Sequence, residues 1–368
     1  GPSDFDPGAG AFELTGSGGF VSRLDTNGDF VWAAAFTGWA TGHSVAVDGG
    51  GNVYCAGSYS STVDFDPGAG TVSLTSAGGS DAYIVKLDAA GALLWAKSVG
   101  GTLDDYAFGV AVDGSGNMFA AGKFNDPNDF DPGAGTYALT EGDLFVVKLD
   151  SAGGFIWAKG MGGTSHSDYL FGLTLDVMGN VYTTGEFNGP ADFDPGAGTY
   201  ILEDGSGTGT FVSKLDNDGN FVWAKVMSGN GRNAGYAIAT DSQINVYITG
   251  LFYYTTDFDP GPGTCLFTSP SGQEWSTSDI FIEKFAGVDR TAPTVTNIVP
   301  MTTGPTSAQT LSFAVYFDEP VQGVTDASDF VVTTTGAAVY GDVTVTGSGS
   351  LYSVTVDRKS TRLNSSHT

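Results

Sequence analysis

Basic residues are scarce. Fourteen Lys and Arg stand against 41 Asp and Glu in 368 residues, a formal charge of −27. Such a chain repels nucleic acid and anionic membrane and attracts cations. Histidine is scarcer still. His43, His166 and His367 are the whole supply, with no Ser/His/Asp order, phosphate loop or Cys/His metal spacing around them. Cys55 and Cys265 fall at non-equivalent points of the pattern set out below, so no disulfide framework is implied. No apolar run is long enough to span a membrane as a helix, and amphipathic helical periodicity is absent. No signal peptide is visible, and the chain opens at Gly1 inside a motif, so the natural N-terminus is expected upstream.

Glycine is plentiful, at 56 residues, with no collagen-like triplet. It therefore signals many tight turns. The apolar runs are short, β-branched or aromatic, and divided by Gly, Asn and Asp clusters, which predicts an all-β chain. One heptapeptide, DFDPGAG, starts at Asp4 and returns with one change or none at Asp64, Asp129, Asp192 and Asp257, at spacings of 60, 65, 63 and 65. A fixed period of this length points to a repeat architecture.

Between these motifs the same strands recur. In the second repeat they are 82–88, 92–97, 106–113 and 117–124, joined by turns such as Asp88–Gly91. Four short antiparallel strands per unit predict one blade of a β-propeller. The expected blades are 20–60, 81–124, 143–187 and 208–252, with an orphan strand at 279–285 that would complete a blade begun upstream. His43 and His166 then fall in loops between second and third strands. A tryptophan recurs on each second strand, at Trp32, Trp95, Trp157 and Trp223. Its repetition is expected of packing between blades and not of a ligand cage.

The segments Asp48–Gly57, Asp113–Gly122 and Asp176–Gly185 follow D-x-x-G-N-V-Y-x-x-G, with Met118 and Phe119 in the middle copy, and each is followed by K-L-D-x-x-G-x-x-x-W-A-K. This combination resembles the bacterial SBBP-type β-propeller repeat over residues 1–286. The resemblance implies a secreted or surface-exposed protein with a binding or scaffold role and no defined reaction.

Two roles compete for the DFDPGAG loop. Strand alternation puts Phe5, Phe65, Phe130, Phe193 and Phe258 on one face and the aspartates on the other. Phe would anchor a hairpin while the aspartates cap its turn. Alternatively the pairs Asp4/Asp6, Asp64/Asp66, Asp129/Asp131, Asp192/Asp194 and Asp257/Asp259 bind Ca²⁺, with backbone carbonyls, water, or neighbours such as Asp126 and Asn128 completing six to eight oxygens. Residues that break the repeat, namely Glu186, Arg232, Tyr253, Tyr254 and Trp275, are the candidates for a unique ligand contact.

Past a linker at 287–293 the repeat stops. Alternating β segments within 294–357 resemble a bacterial Ig-like domain, here truncated, with Asp318 and Glu319 in a turn. The tail 358–368 is basic and Ser-rich, and with Asp357 it resembles a translated sequencing adapter. The expected function is a non-catalytic extracellular or cell-surface platform for a glycan or protein ligand, part of a larger chain and stiffened by calcium if the loops bind it. The competing expectation is a secreted hydrolase or lyase with its pocket in the central channel.

Overall fold

The computed structural model describes the chain except residues 1, 17, 126–127, 164–166, 270–277, 286–294, 302–309, 318–339, 349–350 and 359–368. The linker, His166, Asp126, Trp275, Asp318, Glu319 and the tail beyond Arg358 thus lie outside the described residues. The chain divides into two units, Gly1–Val288 and Asp289–Thr368.

All described elements are strands. In the first unit β1 (Ser3–Asp4) pairs with β2 (Glu13–Leu14), and β3 (Phe20–Leu24) with β4 (Phe30–Ala35). A four-stranded sheet follows: β5 (Thr37–Val47), β6 (Val53–Asp64), β7 (Ser73–Leu87) and β8 (Leu93–Val99). The next holds β9 (Tyr106–Val112) and β10 (Met118–Lys123), then, after the small hairpin β11 (Asn128–Asp129) and β12 (Ala138–Leu139), β13 (Leu144–Leu149) and β14 (Phe155–Met161). The third repeats this plan with β15 (Tyr169–Leu175), β16 (Val181–Phe187), the hairpin β17 (Ala191–Asp192) and β18 (Ile201–Leu202), β19 (Gly209–Leu215) and β20 (Phe221–Gly229). The last has β21 (Asn233–Thr240), β22 (Val246–Phe252) and β25 (Asp279–Phe285). Its hairpin, β23 (Thr255–Asp257) and β24 (Leu266–Thr268), pairs back onto β20.

The sheets follow one another as propeller blades do, but their frame is shifted from the expected one. A sheet is made of the third and fourth strands of one sequence repeat plus the first and second of the next. The limits 20–60, 81–124, 143–187 and 208–252 therefore each straddle two sheets. A sequence period has no origin, and the hydrogen bonds decide where a sheet begins. The segment 100–105, expected as a loop within a blade, carries the chain from β8 to β9, that is, from one sheet to the next. The DFDPGAG hairpin sits between the second and third strands of a blade and does not link blades. The strand at 279–285 is no orphan either, because it pairs along its length with β22.

Cores form between successive sheets. Phe119, Ala121, Leu144 and Val146 of one meet Leu170, Val181, Phe211 and Leu215 of the next, all fully buried. Each buried Val, Leu or Phe among them contributes roughly 1.5–3 kcal/mol. Tryptophan closes the outer side of each junction, as expected. Trp32 Nε1 donates to Ala89 O (3.1 Å), Trp95 Nε1 to Ser151 O (3.3 Å) and Trp157 Nε1 to Asn217 O (3.3 Å), each in the D-x-x-G turn of the following blade. The glycines of those turns have φ of +86°, +81° and +79°, and a Cβ on any of them would lie 3.0–3.2 Å from the indole. Arg23, Lys86 and Lys148 reach the same three turns.

The second unit contributes one antiparallel sheet, in the order β26 (Val295–Pro300), β27 (Thr310–Phe317), β29 (Leu351–Arg358), β28 (Tyr340–Ser348). Val315, Val354 and Val356 form its core.

Candidate functional site

The first strands of these successive sheets, β5, β9, β15 and β21, pack side by side and form the inner wall. Each carries a β-bulge at the same place. The register skips His43 between Gly42 and Ser44, Phe108 between Ala107 and Gly109, Phe171 between Leu170 and Gly172, and Tyr236 between Gly235 and Ala237. A bulge re-aims the residue it leaves unpaired. It also drives a carbonyl over the second strand: a Cβ on Gly57, Gly122, Gly185 or Gly250 would fall within 2 Å of the oxygen of Thr41, Tyr106, Tyr169 or Ala234. The recurrent glycine of x-x-G is thus required by the bulge.

The four displaced rings form a continuous row. Ring centroids lie 5.0 Å apart from His43 to Phe108, 5.8 Å from Phe108 to Phe171 and 5.0 Å from Phe171 to Tyr236. Tyr106 stacks on Phe108 and Tyr169 on Phe171, both at 5.7 Å, and Lys123 Nζ stands 4.1 Å from the centre of the Tyr169 ring. Tyr236 and His43 are exposed and the other rings half-buried. Beyond the bulges the strands turn into the cores between sheets: Val110 is buried, and Val112, Leu173, Leu175 and Ile238 pack against the neighbouring clusters. His43 is thus on a strand and not in a loop. Its Nε2 lies 3.3 Å from Ser58 Oγ, and desolvation holds its pKa below the usual value.

None of these rings was singled out by sequence reasoning, apart from the misplaced His43. The available signal was Y-x-F-G, present twice at Tyr106–Gly109 and Tyr169–Gly172.

The aspartate pairs occupy hairpin turns. The Oδ1 atoms of Asp4, Asp64, Asp129, Asp192 and Asp257 each accept two backbone N–H groups, two and eight residues ahead, at 2.7–3.1 Å. The Oδ1 atoms of Asp6, Asp66, Asp131, Asp194 and Asp259 each accept the glycine N–H two residues on, at 2.7–2.8 Å. Phe65, Phe130, Phe193 and Phe258 sink into the cores, while Phe5 is half-buried against Phe20. Among the described residues no group of three or more His, Cys, Asp or Glu is placed to hold a metal ion.

The repeat-breaking residues separate. Arg232 and Glu186 are brought together in a two-pronged ion pair at 2.7 and 2.8 Å. The Tyr253 N–H donates to Arg232 O, and Tyr254 has φ of +59°. The ion pair borders the aromatic row: Glu186 lies opposite Tyr169 in register, and Arg232 is within electrostatic reach of Tyr236.

Buried carboxylates mark two blade crossings. Asp105 accepts Gly101 N, Asn125 N and Asn128 Nδ2, yet burial pushes its pKa up to about 6. At the next crossing Asp143 Oδ2 accepts Asp168 N (3.1 Å), and Asp143 Oδ1, with no hydrogen-bond partner, points with Asp168 Oδ2 at the open face of Gly162. Burial first, and the Asp168 charge second, hold Asp143 well above the ordinary carboxylate range.

No family model matches the chain, the SBBP-type and Ig-like resemblances included. The chain is similar to an uncharacterized WD repeat-containing protein, L264, of Acanthamoeba polyphaga mimivirus, at 26% identity over 278 residues. That match spans 64% of this chain and 19% of that protein. The likeness and the sheet order together are those of an all-β, propeller-like repeat protein.

Proposed function

We propose that the chain is a non-catalytic binding platform that seats a glycan or protein ligand on the aromatic row of its inner strands. The observation that carries this is the repetition of one device, a bulge that turns a ring off the sheet, on four neighbouring strands. Planar rings spaced this way suit the apolar faces of sugars or of aromatic side chains. A hydrolase or lyase would need acids, bases or cations converging there. The charged groups beside the row are engaged elsewhere: Lys123 lies over the Tyr169 ring, and Arg232 and Glu186 neutralise one another in a two-pronged pair. The hydrogen bonds of the DFDPGAG loops favour a stapling role for the aspartates over calcium binding. An extracellular or cell-surface location is supported by the acidic composition and the SBBP-type resemblance.

The test is a glycan and peptide array probed with the full chain and with a Phe108→Ala/Phe171→Ala variant whose circular dichroism matches the parent. Hits should weaken at least tenfold in the variant. Hits that survive unchanged would refute the assignment of the site.

A further inference from the structure

In the three blades built from β5–β8, β9–β14 and β15–β20, the outer edge of the third strand is taken by a fourth strand of pattern x-x-W-A-K. Among the described residues nothing pairs with the outer edge of β25. A groove of about 640 Å³ runs there, lined by Phe258, Cys265, Phe267, Phe281, Asp279 and Glu283 among others. In two of the complete blades the hairpin packs on that fourth strand: Tyr137 meets Phe155 and Tyr200 meets Phe221, with ring centroids 5.0 and 4.8 Å apart. Cys265 stands where Tyr137 and Tyr200 do, at the same hydrogen bond to the motif phenylalanine.

One residue in this groove departs from the repeat in charge. Glu283 pairs with Ile248 in the register that places Val85 opposite Cys55, Val147 opposite Ala120 and Ser213 opposite Thr183. In those blades the fourth strand answers with Ala96, Ala158 and Ala224. A carboxylate thus replaces a small or apolar side chain at a position that faces an alanine in every complete blade. Its Oε2 and Asp279 Oδ2 are buried with no hydrogen-bond partner, a costly arrangement unless a cation completes it. Lys284 is turned to the other face, with Nζ 5.2 Å from the centre of the Tyr247 ring.

We propose that the outer edge of β25 accepts an extended strand from a partner protein, patterned as the fourth strands are but with Lys or Arg where they carry alanine. The backbone of such a strand continues the sheet. Its aromatic residues cover Phe258 and Phe267, and its basic side chain meets Glu283. Glu283 then acts as the selector, because a strand with alanine there leaves its Oε2 unpaired.

The test uses a fluorescein-labelled peptide of residues 221–227 and the same peptide with Ala224→Lys. Both are titrated by anisotropy into the full chain and into Glu283→Val, a substitution to the residue that two of the complete blades already carry. The lysine peptide should bind the parent at least tenfold more tightly, and the order should reverse in Glu283→Val. Absence of binding by either peptide, or the same order in both proteins, would overturn the proposal. So would concentration-dependent self-association of the chain that either peptide blocks, since the edge would then belong to a second copy.

Discussion

Gly153→Ala probes the clamp between blades. Gly153 has φ of +81°, so an alanine there incurs left-handed strain of about 1 kcal/mol. Its Cβ would also fall 3.2 Å from Trp95 Cδ2 and 3.0 Å from Lys97 Cε. Carbon pairs settle at roughly 3.5–4.0 Å, so the indole must move off its rotamer, at about another 1 kcal/mol. Gly28 occupies the same turn position in the first repeat, with φ of +87° and no atom within 4 Å of an added Cβ. Gly28→Ala should therefore lose about 1 kcal/mol and Gly153→Ala about 2 kcal/mol by urea unfolding followed by far-ultraviolet circular dichroism. In a Trp95→Ala background the excess at Gly153 should vanish. Equal losses at the two glycines, or an excess that persists without the indole, would refute the clamp.

Stapling by Asp64 Oδ1 predicts that Asp64→Asn, which keeps the acceptor, is nearly neutral, whereas Asp64→Ala loses about 1 kcal/mol. The same stapling predicts that excess Ca²⁺ added after chelation leaves the melting temperature unchanged; a rise of several degrees would restore the cation reading. Asp105, pushed up to about 6, and Asp143, held well above its ordinary range, bind protons more tightly folded than unfolded. Their contribution is thus full at low pH and is lost as pH rises from about 4 past about 6. Asp143→Asn should flatten that fall, and a melting temperature that climbs through this window in the parent, without a break in the variant, would contradict the sign.

Much of the fold was legible because its determinants are local. Asp-x-x-Gly turns, alternating apolar residues and the Pro-Gly hairpin all announce themselves within a few residues. The interblade role of Trp95 and the anchoring of Phe193 followed from their repetition. The frame of the blades was not legible, since a hairpin within a sheet and a crossing between sheets are both short Gly-rich segments. Only the pairing of β10 with β13 across the DFDPGAG hairpin distinguishes them. The aromatic row was hidden for a related reason. Phe108 and Phe171 read as ordinary strand residues until register shows that each is skipped. The acidity of Glu283 was visible, but its meaning depends on the alanine opposite its counterparts in other blades.

Hydrogen–deuterium exchange of the full chain, with and without the strongest array ligand, tests the binding platform most directly. Added protection should be confined to β5, β9, β15 and β21 around His43, Phe108, Phe171 and Tyr236. Protection centred on the DFDPGAG hairpins, with the inner strands unchanged, would contradict it.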